Sequence, residues 1–216
     1  MAKRRPSSGR WLQEHHDDPY VLQARREGYR SRAVYKLLEI DADLRHKNGR
    51  KTGLFRPGMT VVDLGAAPGG WSQVAVKLIG GVGRVVAVDL LAMEPVPGAV
   101  ALQGDFLEES VLAAVCQNLA PRGKADLILS DMAPNMTGFK SADRARGERL
   151  AEAAYAFVEQ VLEPGGDAVV KLFQGTGFHE MTRQSRTLFE RVKIVKPQAS
   201  RARSPEHYLV GLGYKP

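Results

Sequence analysis

The chain has a single cysteine, Cys116, among its 216 residues. No disulfide can close within it, and a reducing cytoplasm is the expected location. No apolar run is long enough to span a bilayer, so no membrane attachment is expected. The basic start, Met-Ala-Lys-Arg-Arg-Pro, is not followed by an apolar segment, so no signal peptide is expected. Internal repeats and low-complexity tracts are missing. The five histidines, His15, His16, His46, His179 and His207, show no ligand spacing with Cys116, so no metal is expected. Two nucleotide fingerprints are also missing. After the first glycine-rich turn there is no Gly-Lys-Ser/Thr to reach a triphosphate, and no G-x-G-x-x-G for a dinucleotide.

What is present is charge, unevenly placed. The net charge is +7. Residues 1–36 hold nine Lys/Arg against four Asp/Glu, and residues 181–216 hold eight against two. The ends are thus +5 and +6, and the middle is +7 − 5 − 6 = −4. A mildly acidic body with two basic ends suits a polyanion gripped by the termini. The alternative is basic ends that serve only solubility. Hydrophobic content of 44% supports one sizeable α/β domain. We expect a basic, mobile arm over residues 1–28, with a short helix around Tyr20–Arg26, and one domain over 29–216. Trp11 and Tyr20 lie among the arm's charges, where they could stack on bases or pack the arm onto the domain.

The most informative stretch runs from Val61 to Trp71. An apolar strand, Met59–Leu64, meets Gly65-Ala-Ala-Pro-Gly-Gly70, and a helical pattern follows (Trp71, Val74, Ala75, Leu78, Ile79). Glycine permits close backbone approach, and a helix start offers free N–H groups to an anion. This turn suits a ligand with an anionic end and no phosphate chain. S-adenosylmethionine (SAM) has that character. An ordinary tight strand-to-helix turn is the other reading.

From there the pattern is α/β. Strands are expected at Thr60–Leu64, Arg84–Asp89, Val100–Gly104, Ala125–Ser130 and Asp167–Phe173. Helices are expected at Trp71–Ile79, about Glu108–Leu119, and Ala142–Leu162, the last ending in the turn Glu163-Pro-Gly-Gly166. Two more strands, Arg191–Lys196 and His207–Gly213, have no long helix between them, which implies an antiparallel pair closing the sheet. Upstream, a helix runs from near Ser31 to about His46. At about 100° per residue, Leu37, Leu38 and Asp41 cluster around Val34. Lys36 falls at roughly 200°, on the polar face beside Arg32, where most helical lysines are merely solvated.

Charges sit at the strand ends: Asp63, Asp89, Asp105, Asp131, and Lys171 within the fifth strand. Ligands of open α/β sheets bind outside the carboxyl ends of the strands, so these residues should converge on one crevice. By position, Asp89 is the acceptor for ribose hydroxyls, Asp105 lies where adenine would sit, Asp131 is beside the glycine turn, and Lys171 is beyond the reacting centre.

Four motifs then carry a specific resemblance: Asp63-Leu-Gly-Ala-Ala-Pro-Gly-Gly-Trp-Ser-Gln73, Ser130-Asp-Met-Ala-Pro-Asn135, Val170-Lys-Leu-Phe-Gln-Gly175 and Lys196-Pro-x-x-Ser-Arg-Ala-Arg-Ser204. With Tyr29-Arg-Ser-Arg-Ala-Val-Tyr-Lys-Leu37 they resemble the FtsJ/RrmJ family of SAM-dependent ribose 2′-O-methyltransferases, over roughly residues 10–216. The resemblance implies a Rossmann-like class I methyltransferase fold, a mostly parallel seven-stranded sheet with an antiparallel last strand. It implies a catalytic tetrad of Lys36, Asp131, Lys171 and Glu206, the last within Ser204-Pro205-Glu206-His207-Tyr208. Pro205 departs from the family's usual residue and stiffens that loop. Contacts to SAM carry over to Gly69, Trp71, Asp89, Asp105 and Asp131.

The implied reaction moves a methyl group from SAM to the ribose 2′-hydroxyl of a uridine in 23S rRNA of the large ribosomal subunit, leaving S-adenosylhomocysteine. A monomer with no obligate protein partner is expected. Lys171 would take the hydroxyl proton, which requires it to be neutral first. A charged Lys171 would instead hold the hydroxyl in place. Rival readings are a tRNA or cap ribose methyltransferase and a non-catalytic RNA-binding assembly factor. A dehydrogenase lacks its fingerprint here, and an amino-group methyltransferase would usually place an aromatic after Met132-Ala-Pro.

Overall fold

The computed structural model describes residues 18–47, 53–134, 137–175 and 177–216. Trp11, His15 and His16 lie outside the described residues, as does most of the expected arm. Its last part is helix α1 (Pro19–Arg26). Asp18 caps it by accepting from the Tyr20 N–H, and Pro19 occupies the first turn, where a missing N–H costs nothing. Val21 and Ala24 are buried beneath it. Tyr20 packs rather than protrudes, with its ring 5.4 Å from that of Tyr35.

Helix α2 (Ala33–Lys47) buries Val34, Leu37, Ile40 and Leu44, as its apolar stripe requires. The α/β series follows: β1 (Thr60–Leu64), α3 (Gly70–Ile79), β2 (Arg84–Asp89), β3 (Ala99–Gln103), α4 (Glu109–Asn118), β4 (Ala125–Ser130), α5 (Lys140–Val161), β5 (Leu162–Phe173), α6 (Phe178–Leu188), β6 (Phe189–Val195) and β7 (Glu206–Tyr214). The seven strands form one sheet in the order β3-β2-β1-β4-β5-β7-β6, with β7 antiparallel to both neighbours. The expected Rossmann-like, mostly parallel seven-stranded sheet with its antiparallel last strand is present.

Two details differ from expectation. The turn at 163–166 lies inside the span of β5: Ala125 faces Leu162 and Leu127 faces Asp167, so these four residues stand opposite Asp126 alone and the strand bulges. Helix α6 has no counterpart among the expected elements. Its stripe is broken by Ser185, which is fully buried because Tyr155 and the Met181 carbonyl bond its hydroxyl. A serine in a core position hides the helical period.

The core divides into two layers by strand alternation. Val62, Leu64, Val86, Val88, Ile128, Val170 and Leu209 face α4, α5 and α6. Val61, Val85, Leu127, Leu129, Val169, Tyr208 and Val210 face α2 and α3. Side chains alternate with period two, so Asp63, Asp131, Lys171 and Glu206 belong to the second face, the one covered by α2. Four expected site residues thus share one face of the sheet at its carboxyl end.

Candidate functional site

A cavity of about 490 Å³ lies beyond the carboxyl ends of β1, β2, β3 and β4. Its walls include Gly65, Asp89, Leu91, Asp105, Phe106 and Asp131. A smaller one of about 200 Å³ adjoins it, lined by Ser31, Asp63, Gly70, Trp71 and Asp131. The strand-end acids do converge. The combined space is in the range of small-molecule sites.

The glycines build the near wall. Gly65 has φ +70°, and a Cβ there would stand 2.3 Å from Cγ of Met132, so only glycine lets that side chain close down. Asp89 secures the turn, accepting from the N–H groups of Ala67 (2.9 Å) and Leu91 (2.8 Å). Asp105 accepts from the Leu107 N–H at 3.0 Å. Gly69 stands behind the wall rather than in it, where an added Cβ would meet Val96, Arg30 and Met93. Trp71 is buried, donates Nε1–H to the Ala33 carbonyl at 2.8 Å, and packs 5.7 Å from the ring of Tyr208.

Beside this space the tetrad forms two ion pairs. Lys171 Nζ lies 2.6 Å from Asp131 Oδ1 and 2.8 Å from the Asp131 carbonyl oxygen. Lys36 Nζ lies 2.7 Å from Glu206 Oε1. Glu206 Oε2 is 3.9 Å from Lys171, which links the pairs. Lys171 and Glu206 are both buried. The polar face of α2 therefore does not look into solvent at Lys36; it covers the end of the sheet.

Tyr208 is the member of this site that sequence reasoning did not single out. It is the direct antiparallel partner of Lys171. Its hydroxyl donates to Asp131 Oδ1 at 2.5 Å, and the two ammonium groups lie 5.7 and 6.0 Å from its ring centre. Burial, with the nearby Asp131 and Glu206 charges, pushes its phenol well above the ordinary range, so it stays a donor. The signal was strand alternation, which puts residue 208 on the same face as 206.

Burial works to raise the Asp131 carboxyl. The charges of Lys171 and Lys36, with hydrogen bonds from Lys171 and Tyr208, outweigh it and hold the group below the usual carboxylate range. Asp63 behaves oppositely. It is fully enclosed, and burial raises it to about 7, opposed by a 2.6 Å bond from the Ser72 hydroxyl and assisted by the Asp131 and Asp89 charges.

This has a measurable consequence for stability. The folded chain keeps the Asp63 proton up to about pH 7, while an unfolded aspartate loses it near the ordinary 3.8. The raised value contributes stability in full below about pH 4, loses it progressively as pH rises, and contributes nothing above about pH 7. Asp63→Asn should remove this slope. The stability difference between variant and unaltered protein should move in the variant's favour by roughly 2–4 kcal/mol from pH 4 to pH 8, by urea unfolding. A pH-independent difference would show that Asp63 is ionised in the folded chain.

The two basic ends meet beside the tetrad. Arg32 pairs with Asp18 and donates to the Ala199 carbonyl, Glu39 accepts from the Ala199 N–H at 3.1 Å, and Arg201 lies 3.6 Å from Asp18. Arg32, Lys36, Arg201, Ser204 and Glu206 line a further hollow of about 190 Å³.

The family model for FtsJ-like methyltransferases matches residues 29–214. The chain belongs to the FtsJ-like methyltransferase family. A Magnetococcus marinus relative named ribosomal RNA large subunit methyltransferase E is 62% identical over 215 residues, which covers 100% of both chains. Among solved structures, a Plasmodium falciparum protein described as a ribosomal RNA methyltransferase is 26% identical and covers 86% of this chain and 98% of its own, with a TM-score of 0.73. An Aeropyrum pernix fibrillarin, solved with natively bound SAM, shares the fold alone: 15% identity, 85% and 75% coverage, TM-score 0.53. The motifs that suggested this methyltransferase family therefore belong to a true member of it. Among the described residues no helix is long and apolar enough to cross a membrane, and no cluster of His, Cys, Asp or Glu could hold a metal ion.

Proposed function

We propose that this methyltransferase transfers a methyl group from SAM to a ribose 2′-hydroxyl of a uridine in 23S rRNA of the large ribosomal subunit. The observation that carries the reading is the pair of linked ion pairs, Lys171–Asp131 and Lys36–Glu206, set where the cofactor-sized cavity meets the basic ends. The relative named for the large ribosomal subunit RNA, 62% identical end to end, supports the substrate class.

The walls fit SAM. Asp89 ends β2 with one carboxylate oxygen accepting from Ala67 of the glycine turn and the other from Leu91 of the loop after β2, and each retains a lone pair for a ribose hydroxyl. Asp105 and Phe106 flank the place for a purine. When bound, SAM supplies an activated methyl group on a positively charged sulfur. No acid is needed to help the leaving group, so the chain's tasks are alignment and removal of one proton.

Lys171, once its ammonium has released one proton to water, takes the proton from the 2′-hydroxyl as the bond from oxygen to the methyl carbon forms. Asp131, held ionised, stabilises the ammonium that results and fixes its direction. Tyr208 restrains Asp131 from the other side. Lys36 and Glu206 hold the acceptor ribose from the RNA side. The basic surface built from both ends binds the phosphate backbone without reading sequence.

The test incubates the purified protein with isotope-labelled SAM and large ribosomal subunits from cells lacking it, followed by mass spectrometry of digested rRNA. One labelled 2′-O-methyluridine in 23S rRNA is the expected result. Label on tRNA with none on the subunit would move the substrate, and label on a base would overturn the chemistry.

A further inference from the structure

Arg30 lies in the basic N-terminal segment, in a position that invites assignment to RNA. Its guanidinium is engaged elsewhere. Nη1 donates to the Pro68 carbonyl at 3.0 Å and to the Glu94 carbonyl at 2.5 Å, and Nη2 donates to the Pro95 carbonyl at 2.7 Å. Pro68 belongs to the glycine turn after β1. Glu94 and Pro95 belong to the loop after β2, whose first residues, Leu90 and Leu91, line the larger cavity. One side chain therefore ties together two loops that wall the cavity.

The junction is tight. Gly69 is where the three parts meet, since a Cβ there would stand 2.9 Å from Arg30 Nη1, 2.8 Å from Val96 and 3.0 Å from Met93 Sδ. The backbone around Arg30 is held as well. The Gln73 amide accepts from the Arg30 N–H at 2.9 Å and donates to the Gly28 carbonyl at 3.1 Å. Three residues further on, Trp71 holds the Ala33 carbonyl, and the same segment runs into α2 and Lys36.

We infer that Arg30 is a positioning residue for the cofactor: it straps the glycine turn to the loop after β2 and sets the width of the cavity between them. Charged donors make strong hydrogen bonds to carbonyls, and these three have no other protein cation to replace Arg30 among the described contacts. Without the strap, each loop must be ordered by the ligand itself, and that ordering is subtracted from binding. The inference rests on SAM as the donor. It assigns Arg30 to the cofactor side of the reaction, although its sequence neighbours Arg32 and Lys36 line the separate hollow beside Glu206.

The test is calorimetric titration of the full-length protein with SAM in the absence of RNA, for the unaltered chain, Arg30→Met and Arg30→Lys. Methionine keeps an apolar stem without donors; lysine restores a cation that can reach one carbonyl at a time. Arg30→Met should weaken SAM binding by about tenfold, Arg30→Lys by less, as expected for lost charge-assisted bonds. In turnover with ribosomal subunits, KM for SAM should rise in parallel while KM for the subunit stays within about twofold, the mark of lost uniform binding to one substrate. Unchanged SAM affinity in Arg30→Met overturns the inference, as does a rise confined to the KM of the subunit, which would make Arg30 an RNA contact. Failure of the unaltered protein to bind SAM would instead overturn the donor assignment.

Discussion

Replacing Lys171 with methionine should lower methyl transfer by roughly 10²–10⁴-fold, the usual worth of a positioned base, while SAM still binds. Methionine is close to lysine's stem in length and volume, so the buried face between Val169 and Tyr208 keeps its packing. Lys171 is separate from the residues lining the larger cavity, so cofactor affinity should survive. Arginine at the same position separates base from fixed charge. It keeps the cation beside Asp131 but cannot give up its proton. If Lys171 is the base, Lys171→Arg should be as inactive as Lys171→Met. If it only holds the hydroxyl, arginine should retain much of the rate. Single-turnover assays with labelled SAM and large subunits make the comparison, with calorimetry to confirm binding. Near-normal turnover in either variant would end the base assignment.

How far such a site can be read before folding depends on what carries each residue there. Asp131 and Lys171 were legible because a charge inside or just after a buried strand breaks an otherwise apolar run. Asp89 and Asp105 were legible in the same way, and the cavity they line lies where an open α/β sheet places ligands. Lys36 was not legible from its own helix. At about 200° from the apolar stripe it has the address of a solvated lysine, and only the resemblance assigned it to the site. The reason is tertiary: α2 is covered on its polar side too, by β7, whose Glu206 takes the lysine. Tyr208 was hidden by the reverse effect. A tyrosine in a closing strand reads as ordinary core, and it is fully buried; its function shows only once β7 is registered against β5, Tyr208 opposite Lys171. Arg30 was misleading in a third way. Its neighbours and charge suggested a polyanion, but its partners are carbonyls brought from 38, 64 and 65 residues away. Helix α6 shows the same limit for the fold, because a buried, bonded Ser185 occupies a place where the period calls for an apolar residue.

Asp131→Ala is expected to damage both stability and catalysis, and the two losses can be separated. Asp131 is the near anion for Lys171, with Glu206 the more distant one at 3.9 Å. Deleting it leaves an ammonium, almost wholly enclosed, with most of its compensation gone. Breaking a buried pair from one side costs about 3–5 kcal/mol; here Glu206 offsets part, so a loss of about 2–3 kcal/mol is expected in urea unfolding. The Tyr208 hydroxyl loses its acceptor at the same stroke. Removing the lysine as well should recover much of the stability, because the double variant Asp131→Ala/Lys171→Met leaves no unpaired cation behind. Turnover should not recover. Residues that act as a unit are non-additive, so the double variant should be about as slow as Lys171→Met alone. A double variant no more stable than Asp131→Ala would mean that Asp131 stabilises through the loop it begins rather than through Lys171. A double variant whose rate fell by the product of the two single losses would mean that the aspartate and the lysine act on different steps, and the proton-transfer pair would then have to be dissolved.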